Sequence, residues 1–409
     1  MVKKGTIIVG LDIGTTKTCA MVGEVTDTGG IDIVGIGMQP SKGLRKGVVV
    51  NIDSTVETVK KAVEEAELMS GHQIHSVYTS IAGQHIRGQN SYGIVPVKGG
   101  EVQEADVRKA TEAARAISIP MDREIIHVLP QHYIVDDQDG IKDPVGMSGV
   151  RLEAKVHIII GATTSIQNIA KSVNRVGLDV QGIVLEQLAS SEAVLSQDEK
   201  ELGVALIDVG GGTTGIAVYY EGSIKHTAVL PVGGIYVTND IAVGLRTPAV
   251  DAEKIKLKYG CAFIPLIPQD DIIEVPSVGG REPRQVSRQV LGEIIEPRME
   301  EILGLAQREI IRAGCEDLLA AGVVITGGTA NLEGIAELGE QIFNVPVRRG
   351  CPAGVGGITD IIDNPLYATA VGLVIHGSRS RSVEHVPDGR LRRLIVYIHT
   401  IKKWFDDFF

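Results

Sequence analysis

Two short stretches of this chain carry the residue types that hold a phosphate chain and a divalent cation. They are Ile7-Ile8-Val9-Gly10-Leu11-Asp12-Ile13-Gly14-Thr15-Thr16-Lys17 and Ala205-Leu206-Ile207-Asp208-Val209-Gly210-Gly211-Gly212-Thr213-Thr214. Each runs from an apolar β-type segment into an aspartate, then into glycine and threonine. Glycine permits a tight turn that brings backbone N–H groups and threonine hydroxyls against phosphate oxygens. A second apolar strand follows each turn, Cys19 to Val25 and Ile216 to Tyr220, so the unit is strand, turn, strand. Gly210, Gly212 and Gly215 fit G-x-G-x-x-G, but that dinucleotide fingerprint must open a helix and here a β-branched strand follows. No G-x-x-x-x-G-K-[ST] occurs, which removes the P-loop class. One such hairpin has the composition of any β-turn. Two in matching context imply two similar lobes gripping one nucleoside triphosphate.

A third stretch, Val323-Val324-Ile325-Thr326-Gly327-Gly328-Thr329-Ala330-Asn331-Leu332-Glu333-Gly334-Ile335, reads as an apolar strand, a double-glycine turn and an amphipathic helix. Taken singly it is an ordinary connection in a doubly wound sheet. After two phosphate hairpins it reads as the adenosine contact, with Gly327, Gly328 and Asn331 near the ligand. In order and spacing the three stretches resemble the phosphate-1, phosphate-2 and adenosine motifs of the actin-like ATPase superfamily. Two connecting helices of that superfamily fit Leu185-Glu186-Gln187-Leu188-Ala189-Ser190 and Asn364-Pro365-Leu366-Tyr367-Ala368-Thr369-Ala370-Val371-Gly372-Leu373. The fold this resemblance implies is α/β: duplicated ribonuclease H-like cores in two lobes, with two inserted subdomains.

Composition agrees. A chain of 409 residues exceeds a single core. At 44% hydrophobic and 4% aromatic, its cores are filled by aliphatic side chains. Cys19, Cys261, Cys315 and Cys351 have no metal or redox spacing and read as small core residues in a reducing compartment. His72 and His75 have no acidic or cysteine partner nearby in sequence and read as a solvated helix end. Lys3-Lys4 before an apolar run mimics a signal peptide, but Asp12 and the threonines make it a first core strand. The formal charge is −11, yet residues 377–409 hold seven Lys/Arg against four Asp/Glu. The globular body is therefore the more acidic part, and nucleic acid is excluded as its partner.

The tail divides in two. Residues 377–390 lack periodicity and read as a flexible tether reaching roughly 45–50 Å. Residues 391–409 are amphipathic: at 100° per residue Leu394, Ile398, Ile401, Trp404, Phe405 and Phe408 share one broad face, Arg392, Arg393, Lys403, Asp406 and Asp407 occupy the other, and Lys402 falls near the apolar centre, where it could snorkel. Arg392, Arg393, Lys402, Lys403, Asp406 and Asp407 exclude a transmembrane span. A terminal helix of this kind can dock on its own body. The tether, basic flank and aromatic end favour an in-plane anchor on anionic lipid, weak singly and strong in a polymer.

This tail, with the motifs above, makes the chain resemble the FtsA family of bacterial division proteins across nearly its full length. Val145-Gly146-Met147-Ser148-Gly149-Val150-Arg151-Leu152-Glu153-Ala154-Lys155-Val156-His157-Ile158-Ile159, Val278-Gly279-Gly280-Arg281 and Ile295-Glu296-Pro297-Arg298 look like the family's own stretches. The expected organisation is a lobe I core over 1–84 and 163–198, an inserted subdomain IC over 85–162, a lobe II core over 199–226 and 306–376, and an inserted subdomain IIB over 227–305. A clear amphipathic helix is expected from Ser54 to Ser70, with Val56, Val59, Val63, Ala66 and Leu68 apolar. Within 85–162 the rhythm predicts strands at 93–97, 125–129, 133–135 and 155–160 and a helix from Glu104 to Ile117.

The resemblance implies ATP and Mg²⁺, with Asp12 and Asp208 facing each other across the cation and holding it mainly through water. Gly14, Thr15, Thr16 and Lys17 would cradle the β-phosphate side, and Gly210, Gly211, Gly212, Thr213 and Thr214 the γ side. Glu186 resembles the carboxylate that orients attacking water, and it reads equally as a helix-cap acid. Glu253 and Lys256 share a helical face and resemble a nucleoside-contacting pair, with a plain surface ion pair as the rival. The resemblance further implies an adaptor with slow or conditional hydrolysis that polymerises on the cytoplasmic face of the inner membrane at the division site. It would receive the acidic tail of FtsZ on Arg284, Arg288 and Arg298, and later division proteins through subdomain IC. A pilus-assembly actin-like module would lack the tail. A sugar-kinase-like enzyme would need a further catalytic base between the lobes.

Overall fold

The structure is a computed structural model that describes residues 5–279 and 282–384, and of 381–384 only the helical backbone. Lobe I opens with β1 (Ile7–Ile13), β2 (Lys17–Val25) and β3 (Ile31–Pro40), an antiparallel meander whose apolar runs are buried on both faces. Helix α1 (Ile52–Ser70) starts on the Asn51 cap, which accepts from the Ser54 N–H, and ends at Gly71 in the left-handed region. It buries Thr55, Thr58, Val59, Ala62, Val63 and Ala66. Leu68 is 86% exposed, contrary to the expectation, because two residues beyond Ala66 is a rotation of roughly 200°. β4 (Ser76–Ile81) then lies parallel to β1.

The insertion is built from β5 (Arg87–Pro96), α2 (Glu104–Arg115), β6 (Arg123–Val135), β7 (Gln138–Ile141) and β8 (Arg151–Ala162), in sheet order β5-β8-β6-β7. The two strands expected at 125–129 and 133–135 are one strand, bulged where β6 passes Lys155 and Val156 of β8. Lobe I resumes with α3 (Thr163–Asn174), β9 (Asp179–Leu185), parallel to β4, and α4 (Glu186–Val194).

Lobe II repeats the plan. After α5 (Gln197–Leu202) come β10 (Val204–Val209), β11 (Thr214–Tyr220) and β12 (Ser223–Leu230), again an antiparallel meander. Its core sheet therefore continues to Leu230, past the expected boundary at 226. An inserted layer follows: α6 (Gly234–Gly244), α7 (Ala249–Tyr259), the small hairpin β13 (Ile272–Val275) and β14 (Arg284–Ser287), and the long α8 (Arg288–Arg312). β15 (Val323–Thr326), α9 (Ile335–Phe343) and β16 (Val347–Arg349) close the sheet. The orders β3-β2-β1-β4-β9 and β12-β11-β10-β15-β16 are the same topology twice.

The last helix among the described residues, α10 (Ala368–Glu384), crosses α4 so closely that a Cβ on Gly372 would lie 1.8 Å from the Ala189 carbonyl oxygen. It continues well past Gly377, so the expected tether does not begin there. Gly377 packs against Tyr78 and Ile8 of the lobe I core, and that burial holds the segment helical. The amphipathic stretch 391–409, with its six membrane-facing residues, lies outside the described residues.

Candidate nucleotide cleft

The two hairpins share one local geometry. Asp12 and Asp208 are each the penultimate residue of a buried strand, β1 and β10. Two residues on, the Gly14 N–H donates to the Lys17 carbonyl at 2.9 Å, and the Gly210 N–H donates to the Thr213 carbonyl at 2.9 Å. The turn tips meet across the cleft: a Cβ on Gly211 would lie 2.4 Å from Thr16, and one on Gly212 would lie 2.6 Å from the Thr15 hydroxyl. Glycine is required there because the Thr16 and Thr15 side chains fill the space a Cβ would need.

Between the tips and the strand ends lies a cavity of about 50 Å³ lined by Asp12, Gly14, Thr15, Thr16, Lys17, Glu186, Asp208, Gly210, Gly211, Thr213, Gly327 and Gly328 among others. It opens toward a wider one of about 280 Å³, lined by Gly211, Glu253, Lys256, Leu257, Gly328, Thr329 and Leu366. The first has the polar, anion-facing lining a phosphate chain needs, and the second the more apolar walls a nucleoside needs.

Lys17 Nζ lies 2.6 Å from Asp12 Oδ2. Burial opposes its charge, but Asp12 beside it more than offsets this and raises its pKa. The Ser80 hydroxyl donates to Asp12 Oδ1 at 2.9 Å and accepts from the Ile13 N–H at 3.1 Å. Burial pushes Asp208 up to about 6, against hydrogen bonds from Ser190 and Thr369. Glu186 is raised well above the usual carboxylate range by burial first and then by Asp208 and Asp12. It is not the cap of α4, which is Leu185. Its carboxylate accepts from Thr213 and faces the cavity.

Three carboxylates thus face a single ammonium in a buried space, and the strain on two of them is what a divalent cation would relieve. Among the described residues no group of three or more His, Cys, Asp or Glu could hold a metal alone. The residues fit Mg²⁺ held by two aspartates, water and phosphate oxygens.

Not every expected residue reaches the cleft. The Thr214 hydroxyl is fully buried and donates to the Val232 carbonyl at 2.9 Å. Asn331 donates to Asn364 Oδ1 at 2.8 Å and lines neither cavity. Glu253 and Lys256 do line the wider cavity, but as more than a surface pair: Lys256 is buried, 2.8 Å from Glu253 and 2.9 Å from the Thr238 hydroxyl, tying α7 to α6. Sequence reasoning missed Ser80, Gly47, whose N–H donates to the Thr15 hydroxyl at 2.9 Å, and the brace on the second hairpin. That brace is the start of α6, where the Gly234 and Ile235 N–H groups donate to the Gly210 and Gly211 carbonyls at 2.9 and 2.8 Å. The Gly233-Gly234 pair was its only signal in the sequence.

The three arginines of the second insertion do not form a free basic patch. Arg284 donates to the Leu245 carbonyl. Arg288 donates to the Tyr259 carbonyl at 2.8 Å and pairs with Asp271 at 3.1 Å and with Glu333. Arg298 pairs with Asp240 and Glu301. In an acidic protein, buried or half-buried guanidinium groups find internal carboxylates first. Arg281 lies outside the described residues.

Against known proteins, two family models match: "Cell division protein FtsA" over residues 205–372 and "SHS2 domain inserted in FTSA" over residues 83–160, which is the β5 to β8 insertion. The chain is 54% identical over 381 residues to the cell division protein FtsA of Pseudomonas aeruginosa, covering 93% of this chain and 91% of that one. It belongs to the FtsA family. The Escherichia coli K12 member is 46% identical over 381 residues, covering 91% of each chain, and that of Borreliella burgdorferi 41% over 404 residues, covering 98% of each. Among solved structures, the PilM-PilN type IV pilus biogenesis complex aligns with TM-score 0.66 at 16% identity, over 91% of this chain and 99% of that one. MreB5 of Spiroplasma citri bound to ADP aligns with TM-score 0.56 at 14% identity, over 94% of this chain and all of that one. These two share the fold alone. The chain is thus a member of a cell division family with an actin-like fold.

Proposed function

We propose that this protein is an ATP- and Mg²⁺-binding adaptor that polymerises and ties the FtsZ ring to the cytoplasmic face of the membrane at the division site. The observation that carries the nucleotide part is the repeated hairpin, whose two copies bring Asp12 and Asp208 to one small cavity. When bound, Mg²⁺ would neutralise phosphate charge and satisfy both carboxylates. The chain's own residues orient: Gly14 to Lys17 and Gly210 to Thr213 offer N–H, hydroxyl and ammonium donors to the phosphates, and Glu253 and Lys256 bound the nucleoside side. Lys17 must exchange Asp12 for phosphate as ligand and cation enter together. Burial first, and then Asp208 and Asp12, favour the protonated form of Glu186, and a bound cation would favour the ionised form that can accept a proton, which suits conditional hydrolysis.

The membrane part rests on the sequence of 391–409. No helix among the described residues is long and apolar enough to cross a membrane, and the amphipathic stretch suits a peripheral anchor. The inserted domain 83–160 is offered for contacts with later division proteins and between protomers. An acidic FtsZ tail reaching the second insertion would compete with Asp240, Asp271 and Glu333 for Arg288 and Arg298, leaving Arg284 the more available of the three. Cosedimentation with anionic liposomes tests the adaptor reading. The full chain should pellet with Mg-ATP and vesicles, and a chain ending at Glu384 should stay soluble. Equal pelleting of the two refutes the anchor.

A further inference from the structure

Away from the cleft, at the base of the insertion, lies an open cavity of about 580 Å³ lined by Gln84, His85, Arg87, Arg123, Val229 and Pro231. Arg87 opens β5 and Arg123 opens β6, the two strands that flank β8, where they face Ile160 and Ala162 at the same end of the sheet. Both guanidinium groups gather on one short segment. Arg87 Nη1 donates to the Gln84 and Ile86 carbonyls at 2.8 and 2.9 Å, and Arg123 Nη1 donates to the His85 carbonyl at 2.7 Å. These bonds fix the groups while leaving most of their five donors each unspent. Among the described residues neither arginine meets a carboxylate, although Asp122 and Glu124 flank Arg123 in sequence.

His85 lines the same cavity. Its Nδ1 accepts the Ala162 N–H at 3.3 Å, and a backbone hydrogen bond to Ala82 holds the ring, so it stands beside the two guanidinium groups as a fixed neighbour. Burial first, then Arg123 and Arg87, lower its pKa, so the local potential is positive in a protein of charge −11. The fourth wall, Val229 and Pro231, comes from lobe II, so the site joins the insertion to the opposite lobe.

We propose that this cavity binds a small doubly charged oxyanion of the phosphate class. Two planar forks match a tetrahedral dianion better than a single carboxylate, because each guanidinium can engage two oxygens at once. Occupancy would cancel the repulsion between Arg87 and Arg123 and fasten the insertion to lobe II. The reading does not depend on the nucleotide cleft.

The test follows the ¹³Cε1–H resonance of His85, assigned with His85→Gln, in the full chain titrated with orthophosphate, glycerol 2-phosphate and acetate. Orthophosphate should shift it saturably, with half-saturation below about 10 mM, and acetate should be at least about tenfold weaker. A response to both phosphates identifies the phosphoryl group as the ligand. A response to orthophosphate alone restricts the site to the free ion. Arg87→Gln with Arg123→Gln should weaken orthophosphate at least about tenfold, and the charge-retaining Arg87→Lys with Arg123→Lys should keep part of the affinity if the first pair compromises the fold. No saturable shift, an equal response to acetate, or parental affinity in the glutamine variant overturns the proposal.

Discussion

Replacing Asp208 by asparagine should make the nucleotide-free protein more stable and its cleft less able to use a cation. Asp208 is 3% exposed, and burial raises its pKa from 3.8 to about 6. An acid that holds its proton more tightly folded than unfolded stabilises the fold below its unfolded pKa, and that contribution is gone once pH rises through the folded value. Here the window runs from 3.8 to about 6. At neutral pH the ionised, buried carboxylate is then a cost of about 3 kcal/mol, since each pKa unit is worth about 1.4 kcal/mol. Asparagine removes that cost, and the ionic hydrogen bonds from Ser190 and Thr369 are already contained in the net shift. The net expectation is a gain of about 3 kcal/mol near pH 7.5, shrinking toward zero as the parent protonates near pH 4. Urea unfolding of both proteins without nucleotide measures it. With Mg-ATP at about 1,000 times the dissociation constant the order should reverse, because the parent gains about 4.1 kcal/mol by mass action and the variant does not. A variant no more stable than the parent near pH 7.5 refutes the electrostatic account. Equal stabilisation of both by Mg-ATP refutes the cation role.

The remaining expectations are shorter. His157 sits between Asn90 at 2.6 Å and Thr227 at 2.9 Å, and burial, with His226 beside it, depresses its pKa to about 4; its contribution is present above 6.5 and lost as pH falls toward 4, so His157→Gln should flatten the acid side of the urea midpoint against pH by about 3 kcal/mol. Arg298→Glu alone should destabilise the second insertion by setting like charge against Asp240, and adding Asp240→Arg should restore stability; if FtsZ tail binding returns with stability, the arginine is a scaffold and not a contact. Trp404→Glu with Phe405→Glu should abolish vesicle pelleting and the blue shift of the single tryptophan's emission while leaving ATP affinity unchanged, and a parent whose emission does not move on vesicle addition removes the anchor.

The repeated hairpins, the alternation of strand and helix and the inserted character of the segment expected over 85–162 were legible along the chain because each rests on local chemistry. Apolar runs of strand length, a glycine where the backbone must turn, and an aspartate at a strand end mean the same thing wherever they occur. The tail's amphipathic stretch is equally local. What the tertiary structure decided is which polar groups meet. Ser80 reaches Asp12 across 68 residues, Thr369 reaches Asp208 across 161, and Thr329 reaches Gly210 across 119. Packing likewise decided the turning of Thr214 into the sheet, the pairing of Arg288 with Asp271 and Glu333, and the continuation of α10 beyond Gly377. A hydroxyl or guanidinium has no preferred partner until folding removes water from around it, and the partner it then takes is the nearest group able to replace that water. Composition shows that such groups exist, and only the packed lobes determine which of them remain free for a ligand.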